Sequence, residues 1–191
     1  MQAFQRVDLA SELGGDHWGL LPAWLGAFWL GALGGRLSGP EGYMLLLSGL
    51  MASYDVSCRR IPNAITALGA AAGLAWGLAQ NGWGGLGWST LAGLTGFGLM
   101  AVFFFMGAVG AGDVKGLAAL SSFLVPAGAL KLFVLTTLAG GLLAVAALIH
   151  AGRAGLILRS GFNPRLLGSG LKLPYGLAIW AGTVALVFLG P

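Results

Sequence analysis

The sequence predicts an all-α, polytopic membrane bundle of six to seven membrane segments, one of them short. Of its 191 residues 57% are hydrophobic and only 8% are charged, against about 25% charged in soluble globular proteins. From Ile61 to Gly112 no side chain is charged, and the apolar blocks are long enough to cross a bilayer, which takes about 20 residues per helix.

The elements follow in chain order. Residues 1–40 form an N-terminal acidic arm, carrying Asp8, Glu12 and Asp16, and then an extra transmembrane helix over 18–35. No convincing small-residue cleavage signal follows that block, so it is expected to be retained. The remaining membrane domain, 41–191, begins with an apolar segment over 42–54. The uncharged stretch 61–112 is too long for one crossing, and its centre, QNGWGGLGW at 80–88, has a turn composition. It is expected to fold as a hairpin of two helices. A short segment at 114–124 stops before Pro126, and two longer ones occupy 132–151 and 173–189. Gly69, Gly73 and Gly77 recur every fourth residue, which puts them on one helix face and lets a neighbouring helix come close. Such faces could also pair two copies of the chain.

Orientation follows from the basic residues. With a cytoplasmic N-terminus, that side collects Arg6, Arg59, Arg60, Lys115, Arg153, Arg159, Arg165 and Lys172, whereas the other side holds Arg36 and Lys131. This predicts a multi-pass membrane protein with its N-terminus in the cytoplasm. The loop 152–172, with its basic residues among leucines, is expected to lie on anionic lipid. The net charge of +4 is dispersed between apolar blocks, which argues against nucleic acid as a partner. The single cysteine, Cys58, excludes an internal disulfide and a Cys-x-x-C zinc site, and no metal or cofactor is expected.

Two carboxylates need a different explanation from the other acidic residues. Asp55 and Asp113 bracket the uncharged hairpin, and two crossings return the chain to its starting side, so both belong at one membrane face. An aspartate near a membrane centre costs about 2.5 to 3.5 kcal/mol and such residues usually mark function. Two carboxylates sharing one proton can supply both a base and an acid to a water attacking a peptide bond. Their neighbours fit that use. Pro62 forces the helix carrying Asp55 to end just beyond it, Asn63 is placed to cap the next helix, and Gly110 and Gly112 are expected to supply backbone conformations that turn Asp113 inward. The bland alternatives are an Asp55–Arg59 pair one helical turn apart and a helix-capping role for Asp113.

The motifs D-x-x-x-R-x-I-P-N, read as Asp55, Arg59, Ile61, Pro62 and Asn63, and G-x-G-D-V-K at 110–115 resemble those of the type 4 prepilin peptidases, bacterial membrane aspartyl proteases of the GxGD class. The L-P-Y-G at 173–176, with Pro174 and Gly176, resembles the start of that family's last helix. The likeness runs from about residue 42 to the C-terminus. It implies that Asp55 and Asp113 are the catalytic pair, with Lys115 supporting them or acting as an interfacial lysine. It also implies a bacterial cytoplasmic (inner) membrane location and prepilin or pseudopilin substrates, cut after a short basic leader at the cytoplasmic face. Without a methyltransferase region or its zinc domain, the chain resembles the short, peptidase-only form associated with tight-adherence (Flp) pili and protein secretion. The alternatives are another GxGD intramembrane protease of the signal-peptide-peptidase kind, suggested by Tyr54–Asp55 but lacking its Pro-Ala-Leu motif, and a small proton- or ion-coupled transporter.

Overall fold

A computed structural model describes residues 39–150 and 175–190. The acidic arm and first span, the basic loop at 152–172 and Pro174 lie outside the described residues.

Helix α1, Pro40–Cys58, opens on a proline at its first position, where a missing N–H costs nothing. It closes at Arg59, which adopts the left-handed conformation with φ 51° and returns its N–H to the Asp55 carbonyl at 2.9 Å. Pro62 then holds an extended backbone, φ −60° and ψ 133°, which ends the helix just past Asp55 as its position in the sequence requires.

The long element α2, Asn63–Phe105, is a hairpin. Asn81 and Gly82 leave helical geometry, with Gly82 at φ 57° and ψ −143°, and the chain doubles back on itself. A Cβ placed on Gly77 would sit 2.7 Å from the Gly85 carbonyl oxygen and 2.9 Å from Ser89 Cβ. In an unbroken helix the eight residues from 77 to 85 would rise about 12 Å, so only a reversal brings them together. The glycine face predicted at Gly69, Gly73 and Gly77 is buried and filled from within the chain, by Leu47, Ser122 and Ser89.

Helix α3, Ala111–Ser121, is a wedge rather than a span. At about 16 Å it is half the thickness of a bilayer core, and Leu117, Ala119 and Leu120 are completely buried. Ser122 just beyond it fits against Gly73 on one arm of the hairpin, and Ser121 against Gly96 on the other. The helix starts three residues earlier than the uncharged stretch beginning at Val114 suggests, because the Gly110 carbonyl already accepts from Asp113 N–H. Helix α4, Pro126–His150, runs alongside α5, Tyr175–Leu189, so closely that a Cβ on Gly182 would lie 2.7 Å from Thr136 N. At the end of the pair the Lys131 ammonium donates to the Gly190 carbonyl. Met44, Met100, Leu117, Leu120, Ile179 and Leu186 from α1, α2, α3 and α5 meet in one core.

Among the described residues, α2 and the stretch Pro126–Ala147 are long and apolar enough to cross a membrane. Their outward faces are apolar as well: Leu68 is 71% exposed, Trp83 82% and Leu142 77%. In water such a surface would be an aggregation hazard, whereas hydrocarbon is its natural solvent. The described residues are helical, without a strand, as the sequence predicts.

Candidate active site

Three helix ends converge near the two aspartates: the last turn of α1, the first turn of α3 and the first turn of α5. Asp113 sits in the first turn of α3, and its residue is only 8% exposed. Its Oδ2 accepts the Gly110 N–H at 2.9 Å while its own N–H donates to the Gly110 carbonyl at 3.1 Å. The carboxylate thus returns to the N-cap amide as the N3 acid of a capping box does, at the positive end of the helix, while the Gly110 backbone carbonyl takes the place of a capping side chain. Asp55, half-buried on α1, accepts the Gly176 N–H from the first turn of α5 through Oδ2 at 2.6 Å. The Asp55 charge acts on Asp113, and the Arg59 guanidinium acts on Asp55. The hairpin returns the chain so that the first turns of α3 pack against α1, where a Cβ on Gly116 would lie 3.2 Å from Met51 Sδ.

Gly176 must be a glycine for a reason of packing. A Cβ there would lie 2.8 Å from Asp55 Cβ and 3.2 Å from Ala52 Cα, both on α1. The side chain it lacks is the space that Asp55 fills.

Three expectations about supporting residues change. Gly110 and Gly112 are not needed for unusual backbone angles. Gly110 has an ordinary extended φ of −85°, and the glycine with positive φ in this loop is Gly107, at 76°. What Gly110 and Gly112 provide is proximity: a Cβ would stand 3.2 Å from Asp113 Oδ2 at the first and 3.4 Å from Ile61 Cβ at the second. Asn63 does not cap α2, whose N-cap is Pro62 without a side-chain bond. Its Oδ1 instead accepts from Lys115 Nζ at 3.0 Å, because Asn63 and Lys115 open adjoining helices at the same end of the bundle. Lys115 thereby ties the start of α3 to the start of α2.

Tyr175 was not singled out by its chemistry in the sequence, where it stood only as part of L-P-Y-G. It opens α5 with its ring against α4, where a Cβ on Gly140 would stand 2.9 Å from its Cε2.

A sequence profile of the type IV leader peptidase family matches residues 42–145. The matched region covers nearly all of α1, the whole hairpin, α3 and most of α4, and it includes both aspartates; α5 lies beyond it. No curated protein and no solved structure gave a match.

Proposed function

Because the chain belongs to the type IV leader peptidase family, we propose that it is an intramembrane aspartyl endopeptidase that removes the short basic leader from type IV prepilins or pseudopilins, with Asp55 and Asp113 as its two catalytic carboxylates. The observation that carries the assignment is geometric: two carboxylates on helices that pack together are each anchored by a backbone N–H at a helix start. Fixed this way, they can hold opposite protonation states, since a neighbouring negative charge disfavours ionising both.

The ionised carboxylate takes a proton from water as the water oxygen attacks the scissile carbonyl carbon. The protonated partner gives its proton to the carbonyl oxygen, and a tetrahedral diol results. Collapse of the diol breaks the C–N bond; the proton taken from water passes to the departing amine, and one diol hydroxyl returns its proton to the partner. The leader leaves as a carboxylic acid and the mature pilin with a new N-terminal amine, and neither the enzyme nor any second reagent is consumed. Placing the two groups in a bundle poor in water strengthens each charge that develops.

Asp55→Asn and Asp113→Asn are each expected to abolish cleavage of a co-expressed prepilin, with membrane insertion unchanged. Mass spectrometry of the pilin N-terminus reads the result, and substantial processing by either variant would remove the dyad. Tight-adherence pilins are the substrates to try first.

The excess of basic residues on the aspartate side supports cleavage at the cytoplasmic face. Cys58 is exposed at that end, and Gly84, beside the hairpin turn, has open space around a Cβ. An impermeant thiol reagent applied to intact cells should label a Gly84→Cys variant in a Cys58→Ser background and leave the native Cys58 unlabelled until the cells are permeabilised. The reverse pattern would turn the site away from a cytoplasmic leader.

A further inference from the structure

The short link between α1 and α2 grips α3 along one of its sides. Ile61 in that link is buried, and a Cβ would stand 3.4 Å from Ile61 Cβ if built on Gly112 and 3.9 Å from Ile61 Cδ1 if built on Gly116. The two glycines, one turn apart, leave the room that the isoleucine fills. Ile61 also belongs to a small buried cluster with Met51 of α1 and Ala119 of α3. Two residues further on, Asn63 opens α2, and its Oδ1 accepts from Lys115 Nζ at 3.0 Å. Gly112, Lys115, Gly116 and Ala119 follow one another at helical spacing and so share one side of α3. Asp113 lies about 100° further round the same helix. The link is tied just as closely to the other aspartate: Arg59 N–H donates to the Asp55 carbonyl at 2.9 Å, and Pro62 fixes the backbone between Ile61 and Asn63. A slip of α3 against this link would therefore move Asp113 relative to the helix that carries Asp55.

We propose that Asn63 and Lys115 are positioning residues of the aspartate pair: their hydrogen bond, beside Ile61 seated on Gly112 and Gly116, stops α3 from slipping and so sets Asp113 relative to the Asp55 helix. Lys115 then acts through Asn63 and not on the substrate. This rests on the peptidase reading for its effect on turnover, but not for its effect on α3. Asn63→Ala removes the acceptor, and alanine suits an exposed helical position, so α2 itself is not weakened. Lys115→Met removes the donor and keeps the apolar stem. Asn63→Asp keeps an acceptor oxygen at the same reach and makes it a stronger one.

On prepilin cleavage in liposomes, Asn63→Ala and Lys115→Met should each lower kcat about fivefold with KM unchanged. The double variant should be no slower than either alone, since both remove one bond, and Asn63→Asp should keep the parent kcat. A lysine that met the substrate directly would give another pattern, with Lys115→Met slow and Asn63→Ala at the parent rate. That pattern overturns the proposal, as does a double variant slowed by the product of the two single losses, or an Asn63→Asp variant as slow as Asn63→Ala. If the parent chain cleaves no prepilin, the peptidase reading fails and the seating of α3 is read by hydrogen exchange of its amides over 113–118. Faster exchange in Asn63→Ala and Lys115→Met then supports the proposal, and parent exchange in both overturns it.

Discussion

Asp113 is held by an amide three residues before it in the chain, and Asp55 by an amide 121 residues after it. The two bonds are chemically alike, a helix-start N–H donated to a carboxylate oxygen, but one is local and the other is tertiary. The local bond forms whenever α3 forms, because both partners belong to its first turn. The tertiary bond exists only when α1 and α5 are docked against each other. One half of the site is therefore made by a single turn of helix, and the other half by the assembled bundle.

The substitution expected to separate the two halves most is Gly176→Ala. Its Cβ would arrive 2.8 Å from Asp55 Cβ, so α5 must shift away from α1 or the aspartate must leave its amide. A displacement of about 1 Å in catalytic geometry costs on the order of a hundredfold in rate, and a loss of at least that size in prepilin cleavage is expected. Activity within a fewfold of the parent would show that the Asp55 bond does not set the geometry. The corresponding change on the local side is Gly110→Ala, which brings a Cβ only to 3.2 Å from Asp113 Oδ2, at a φ that alanine accepts. Losing glycine at an N-cap is a modest defect, and cleavage should fall by less than about tenfold in the same assay. An effect as large as that of Gly176→Ala would erase the distinction between a local and a tertiary half.

The same distinction decides what could be read from the sequence. The hairpin was legible because its cause is local: Asn81 and Gly82 sit in a turn-rich run, and spans of fixed length then dictate that Asp55 and Asp113 share a face. The burial of Gly69, Gly73 and Gly77 was legible from their spacing. The end of α1 beyond Asp55 followed from Pro62. Gly176 could be recognised as part of a motif, but its physical reason, the room that Asp55 occupies, depends on how α1 and α5 dock. The bond between Asn63 and Lys115, and the notch that Gly140 makes for Tyr175, depend in the same way on which helices become neighbours. Gly110 and Gly112 mislead for a related reason. Spacing marks them as special, yet a glycine is used both for unusual dihedrals and for close approach, and only the fold distinguishes the two.

Serine and threonine recur opposite the crowded glycines: Ser122 against Gly73, Ser89 against Gly77, Ser121 against Gly96 and Thr136 against Gly182. These contacts are dispersion between backbone and small side chains, and in a bilayer the apolar surface released when such helices part is solvated by lipid rather than water. Their heat-capacity signature should differ from that of a soluble core. The large positive heat-capacity change that bends the stability curve of a soluble protein comes from wetting apolar surface, and separating these helices within lipid wets very little. Cooling removes hydrophobic stabilisation from a soluble domain; the seams between glycine and hydroxyl side chains in this bundle have little of that term to lose.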